Sequence, residues 1–168
     1  MAVSMYIACV PVFKQMLGSL NTILGKAQSH CVAKKIEPSA LLMARLFPDM
    51  FPLYRQVHIA CDFARGVSAR LANHDVPSND DKEQSFEELQ ALVEKTLRFI
   101  EILAPSQFEG SETREIITRA GTPKEKRFTG QQYLLAYGLP QFFFHITTVY
   151  GLLRHAGVEI GKRDYMGV

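Results

Sequence analysis

Two histidines carry the most legible chemistry in this sequence. His58 has Asp62 four residues after it, and His145 has Gln141 four residues before it. On a helix, a step of four puts both side chains on one face. Each imidazole would then have a polar companion one turn away. A carboxylate in that place can orient the ring of a metal-binding histidine. Imidazoles from facing helices are a common way to hold a transition metal inside a bundle. The plainer reading is a surface His58–Asp62 pair and a buried, hydrogen-bonded His145, and spacing alone favours it. His30 is read as a cap on the end of its helix, and His74 and His155 as exposed.

No strong catalytic motif accompanies them. The sequence has no Gly-x-Gly-x-x-Gly, no P-loop, no Gly-x-Ser-x-Gly and no His-Glu-x-x-His. Cys61 reads as a small packed hydrophobe, because nothing adjacent in sequence would depress a thiol pKa. The three cysteines, Cys9, Cys31 and Cys61, are odd in number and form no Cys-x-x-Cys. Free thiols in a cytoplasmic, reducing compartment are expected.

The elements that must position these side chains follow from apolar spacing. Segment one, about 4–34, carries Phe13, Leu17, Leu20, Leu24, Ala27 and Cys31 at alternating steps of four and three. Segment two, about 51–73, carries Leu53, Val57, Ala60, Ala64, Val67 and Leu71 in the same rhythm. Segment three opens on the capping-box pair Ser85 and Glu88 and continues through Leu89, Val93, Thr96, Ile100 and Leu103. Segment four, about 129–155 with an interruption at Pro140, has the seam Leu139, Phe142, Ile146, Val149 and Leu153. Such steps are those of helices packed in a bundle. Pro11 starts or kinks the first helix. Gly66, inside the second, is expected to let another helix approach. Between segments three and four, Ile116-Ile117-Thr118 and Lys126 to Phe128 flank the turn residues 121–124, which predicts a small β-hairpin. The expected fold is all-α: one four-helix-bundle domain over residues 1–168, with a β-hairpin between helices three and four.

Composition excludes several classes. The 168 residues are 47% hydrophobic and 21% charged, with net charge +2, too mild to predict a nucleic-acid or membrane partner. Basic residues Arg114, Arg119, Lys124, Lys126 and Arg127 gather at the hairpin, but Glu112, Glu115 and Glu125 are interleaved, so they read as a solvated surface. The apolar N-terminal stretch lacks a positive leader and is not read as a signal peptide. The run 128–153 has no formal charge. Its glutamines, Pro140, His145 and threonines would be costly in lipid, so it reads as a deeply buried helix. The run Phe142-Phe143-Phe144 points three rings in three directions, more than one face can bury. That surplus predicts a homodimer, burying roughly 800 Å² or more per subunit. The competing expectation is that residues 5–12 cover the rings within one chain.

Longer stretches of wording carry a resemblance. Val10-Pro11-Val12-Phe13, Leu46 to Pro52, Ile59-Ala60-Cys61-Asp62, Phe143-Phe144-His145-Ile146-Thr147-Thr148 and Leu153-Arg154-His155 resemble an uncharacterised family grouped with the DinB-like metalloenzymes. The resemblance covers nearly the whole chain and implies a four-helix bundle. The superfamily typically uses three histidines for a divalent metal such as nickel or zinc, one on the second helix and two four apart on the last. The resemblance therefore implies His58 as the second-helix ligand and His145 as the second of the last pair, with Asp62 behind His58. The first of that pair falls at Gln141, a poorer ligand than imidazole. Thr147-Thr148 replaces the usual Gly-Gln. The implied function is a metal-dependent enzyme, or a small-molecule binder with a degenerate metal site. A non-catalytic dimeric interaction protein is the alternative.

Overall fold

The computed structural model describes residues 3–167. Helix α1 spans Met5–Lys34, and a single turn, α2, spans Pro38–Leu42. Helices α3 (Leu53–Leu71) and α4 (Phe86–Glu101) follow. Strands β1 (Glu115–Thr118) and β2 (Lys126–Thr129) form an antiparallel hairpin, with Ile116 opposite Phe128 and Thr118 opposite Lys126. A helical turn α5 (Gly130–Gln132), a π-helical segment (Tyr133–Gly138) and α6 (Leu139–His155) come next. A short α7 (Lys162–Met166) packs back on α1. Helix α3 lies against both α4 and α6, and α1 lies against α4, so α1, α3, α4 and α6 make the bundle. The sheet is two-stranded.

The apolar rhythm of each segment becomes its buried stripe. Phe13, Leu17, Leu20, Leu24, Ala27 and Cys31 are buried on α1, and Leu53, Val57, Ala60, Ala64, Val67 and Leu71 on α3. Phe86, Leu89, Val93, Thr96, Ile100 and Leu103 do the same for α4 and the residues that follow it. Burying each large side chain stabilises the fold by about 1.5–3 kcal/mol relative to exposure. By length and composition α1 could cross a membrane. Its apolar stripe is instead used in the core of the bundle.

Local chemistry sets the ends. Ser4 Oγ accepts from the Ile7 amide at the start of α1, and Pro11 sits inside that helix. Ser85 and Glu88 form the reciprocal capping box that opens α4. The interruption expected at Pro140 is a change of helix type just before it, not a break in the helical path. Proline has no N–H, and its ring crowds the carbonyl one turn back. The π-helical residues just before it absorb that mismatch, and the Leu139 amide reaches back to the Leu134 carbonyl. Two glycines allow close approaches there. A Cβ on Gly138 would lie 2.6 Å from a methyl of Val67 on α3, and one on Gly130 would fall on the Ser111 carbonyl oxygen.

The three consecutive phenylalanines divide as their angular spread requires. Phe142 is fully buried, Phe143 is half-buried and Phe144 is 54% exposed. Phe142 meets the edge of Phe13 from α1, with ring centroids 4.7 Å apart. Helix α1 thus covers one ring of the three.

Candidate functional site

The two histidines have different surroundings. His58 is fully buried on α3. Its Nε2 lies 3.4 Å from Glu83 Oε2, too far off line for a hydrogen bond, and its ring meets the edge of Tyr54. The Arg55 guanidinium lies 3.5 Å from its Nδ1. Glu83 belongs to the polar loop between α3 and α4. That loop is held over α3 by an ion pair of 2.6 Å between Arg55 and Asp81, and Asn79 joins Asp81 to Glu83. Burial acts to raise the Asp81 carboxyl pKa, but hydrogen bonds from Arg55 and Asn79 outweigh it and hold the group below its ordinary value.

His145 sits on α6 with only 7% of its surface exposed. Its Nδ1 is 2.6 Å from the Gln56 side-chain oxygen. That oxygen can only accept, so Nδ1 carries the proton and Nε2 keeps its lone pair. Gln56 is fixed in turn by donating to the Phe51 carbonyl at 3.0 Å. Burial pushes the His145 pKa down to about 4, so the ring is neutral near pH 7. Phe63 stacks on it at 6.0 Å and Phe144 meets it edge-on.

These contacts assign the rings to different faces of α3. His145 meets Gln56 and Phe63, seven residues apart and nearly in line along the helix. His58 is two residues from Gln56, and at about 100° per residue its side chain leaves the helix about 200° away. Asp62 pairs with Arg65. No hydrogen bond joins Asp62 to His58. Gln141 shares a face of α6 with His145, one turn away, and is half-buried. Among the described residues no three of the His, Cys, Asp and Glu side chains gather as a metal-holding group. Cys9 and Cys61 are buried, and desolvation lifts both thiols to about 12, which leaves no thiolate nucleophile in the core.

A cleft of about 480 Å³ opens on the outer side of α3, toward the hairpin. Phe63, the ring that stacks on His145, forms part of its wall together with Tyr137. Those two rings are 5.8 Å apart, and Phe128 and Tyr133 extend the aromatic cluster behind them. Arg55, Arg65 and Arg70 from α3 and Arg119 from the hairpin line the cleft, with Asp62 as the one carboxylate among its lining residues. Gly66 serves this cleft: a Cβ there would lie 2.7 Å from Arg70 Nη1, which donates to the Gly66 carbonyl. The expectation that Gly66 admits another helix is therefore corrected, because the space holds a guanidinium. Burial raises the Asp62 carboxyl pKa, and Arg65 partly counters it.

Little in the sequence singles out the cleft arginines, because carboxylates interleave with Arg119 and the arginines of α3 form no motif. One signal is present: apart from His58, the basic residues from Leu53 to Leu71 are Arg55, Arg65 and Arg70, with no lysine. Arginine is the side chain suited to planar, forked recognition.

A model of the family described as "Domain of unknown function (DUF1993)" matches residues 5–166. The crystal structure of a DinB family member protein from Shewanella denitrificans superposes with a TM-score of 0.91 at 38% identity, covering 97% of this chain and 92% of that one. The chain belongs to this DinB-like family of unknown function. None of the curated proteins matches it. The family and fold implied by the wording of the sequence are thus those found.

Proposed function

We propose that this DinB-like protein is a small-molecule binder whose ancestral metal position is degenerate, with the α3–hairpin cleft as its working surface. The observation that carries the reading is the use already made of each histidine. His145 Nδ1 is committed to Gln56, and His58 has an arginine cation at one nitrogen and Glu83 near the other. The two rings also leave α3 on different faces, His58 toward the loop that carries Glu83 and His145 toward Gln56 and Phe63. His58, His145 and Gln141 therefore do not fit one coordination shell. What remains open is His145 Nε2 with Gln141, one imidazole and one amide, a weak donor set for zinc or nickel. We derive no step through a metal. The cleft next to Phe63 supplies what a binder needs: concave aromatic walls and a few convergent polar groups. A cytoplasmic location is part of the same reading and agrees with three unpaired thiols.

The test is metal analysis of protein purified without chelator, followed by melting with added nickel or zinc. We expect substoichiometric metal and only a small rise in Tm, since stabilisation follows free ligand over Kd. Stoichiometric metal that is lost in both His58→Ala and His145→Ala would overturn the reading.

A second reading, a dimeric interaction protein, is favoured by Phe144 on α6 and Leu135 in the π-helical segment before it, which are 54% and 51% exposed. In an isologous pair, a patch around Phe144 would be covered by its twin.

A further inference from the structure

We propose that the cleft binds a small aromatic oxyanion, an organic phosphate or carboxylate, with its charged end between Arg70 and Arg119 and its ring against Phe63 and Tyr137. This deepens the small-molecule reading above and rests on it. Four guanidinium groups face one carboxylate among the lining side chains. Arg55 is already neutralised by Asp81, and Arg65 by Asp62. Arg70 donates only to neutral oxygens, the Gly66 carbonyl at 3.0 Å and the Tyr133 hydroxyl at 3.3 Å. Arg119 has no ion-pair partner among the described residues. Two positive charges on the lining are thus left without a counter-ion.

Arg65 differs from both. It is 95% buried, its Nη2 pairs with Asp62, and its Nε and Nη1 have no acceptor. Those two nitrogens are sealed from solvent, so Arg65 adds positive charge behind the wall while Arg70 and Arg119 present the donors. The forked geometry of guanidinium matches two oxygens of one carboxylate or phosphate, which an ammonium cannot do. The second half of the ligand follows from the opposite wall. Phe63 and Tyr137 stand roughly edge to face and give the cleft an apolar, aromatic wall against which a flat ring packs. The volume, about 480 Å³, is in the range of sites for such molecules.

The experiment titrates phenyl phosphate, phenylacetate and the neutral probe benzyl alcohol into the full chain, read by calorimetry and by NMR shifts. Arg70→Gln and Arg119→Gln are compared with the wild type, and melting curves check that each variant is folded. At least one anionic probe should bind, roughly tenfold weaker in each variant and weaker with added salt. The tighter of the two names the oxyanion. Benzyl alcohol binding as tightly as the anions, or anion binding unchanged in both variants, would overturn the proposal and leave the small-molecule reading in place. Failure of all three probes at millimolar concentration would overturn both.

Discussion

Acid should destabilise this fold through His145, and the size of the loss can be worked out. The ring is 93% buried and its pKa is pushed down by burial to about 4, against an ordinary 6.5. Its folded pKa is therefore below its unfolded one. In that order the unfolded chain binds the extra proton first as pH falls. Above pH 6.5 the group contributes nothing to pH dependence. Between 6.5 and 4 it costs stability, and below 4 the loss levels off. At pH 4.5 the linkage comes to about 2.5 kcal/mol, close to the full difference of roughly 3 kcal/mol. The assay is urea unfolding at pH 7.0, 5.5 and 4.5 for the wild type and for His145→Gln, which cannot titrate. Carboxylates elsewhere contribute to both curves and cancel in the difference. The wild type should lose about 2.5 kcal/mol more than the variant between pH 7.0 and 4.5. Equal losses, or an NMR titration of His145 with a midpoint near 6.5, would refute the argument that burial sets its protonation.

Other expectations concern packing and assembly. Gly138→Ala places a methyl 2.6 Å from Val67 and should cost about 1–3 kcal/mol by overpacking, partly offset by better helix propensity; urea midpoints check it, and unchanged stability would show that the π-segment gives way. Ser85→Ala removes the Oγ acceptor that caps the Glu88 amide at 3.1 Å and should cost about 1 kcal/mol, measured the same way. If Phe144 and Leu135 lie in a homodimer, light scattering should show a mass that falls on dilution, and Phe144→Glu should give a monomer at all concentrations; wild-type monomer up to hundreds of micromolar would remove the dimer.

The bundle was readable in the sequence because each core helix repeats one physical requirement, an apolar side chain every three or four residues. The seam from Phe13 to Cys31 and that from Leu53 to Leu71 are buried as the spacing demands. The hairpin was readable because Ile116-Ile117-Thr118 favours strand beside a turn. The site was less so. Spacing says which side chains share a helical face, but it does not say what loops arrive from elsewhere. Asp62 is one turn from His58, yet its carboxylate pairs with Arg65 one turn further on, and Glu83, from a loop 25 residues downstream of His58, comes nearest its Nε2. Gln56, which anchors His145, has no pattern to single it out from other polar residues. The cleft depends on bringing Arg119 from the hairpin to the arginines of α3, a long-range juxtaposition that no local periodicity encodes.

The central claim is that His58 and His145 serve separate environments on a small-molecule-binding bundle. Long-range proton–nitrogen NMR of the imidazoles, recorded before and after one equivalent of zinc, tests it most directly. The account predicts that His145 is the neutral Nδ1–H tautomer, that His58 gives an independent set of signals, and that one equivalent of zinc does not move the two together. Simultaneous, saturable shifts of both imidazoles at one equivalent would place them on a common metal ion and contradict it.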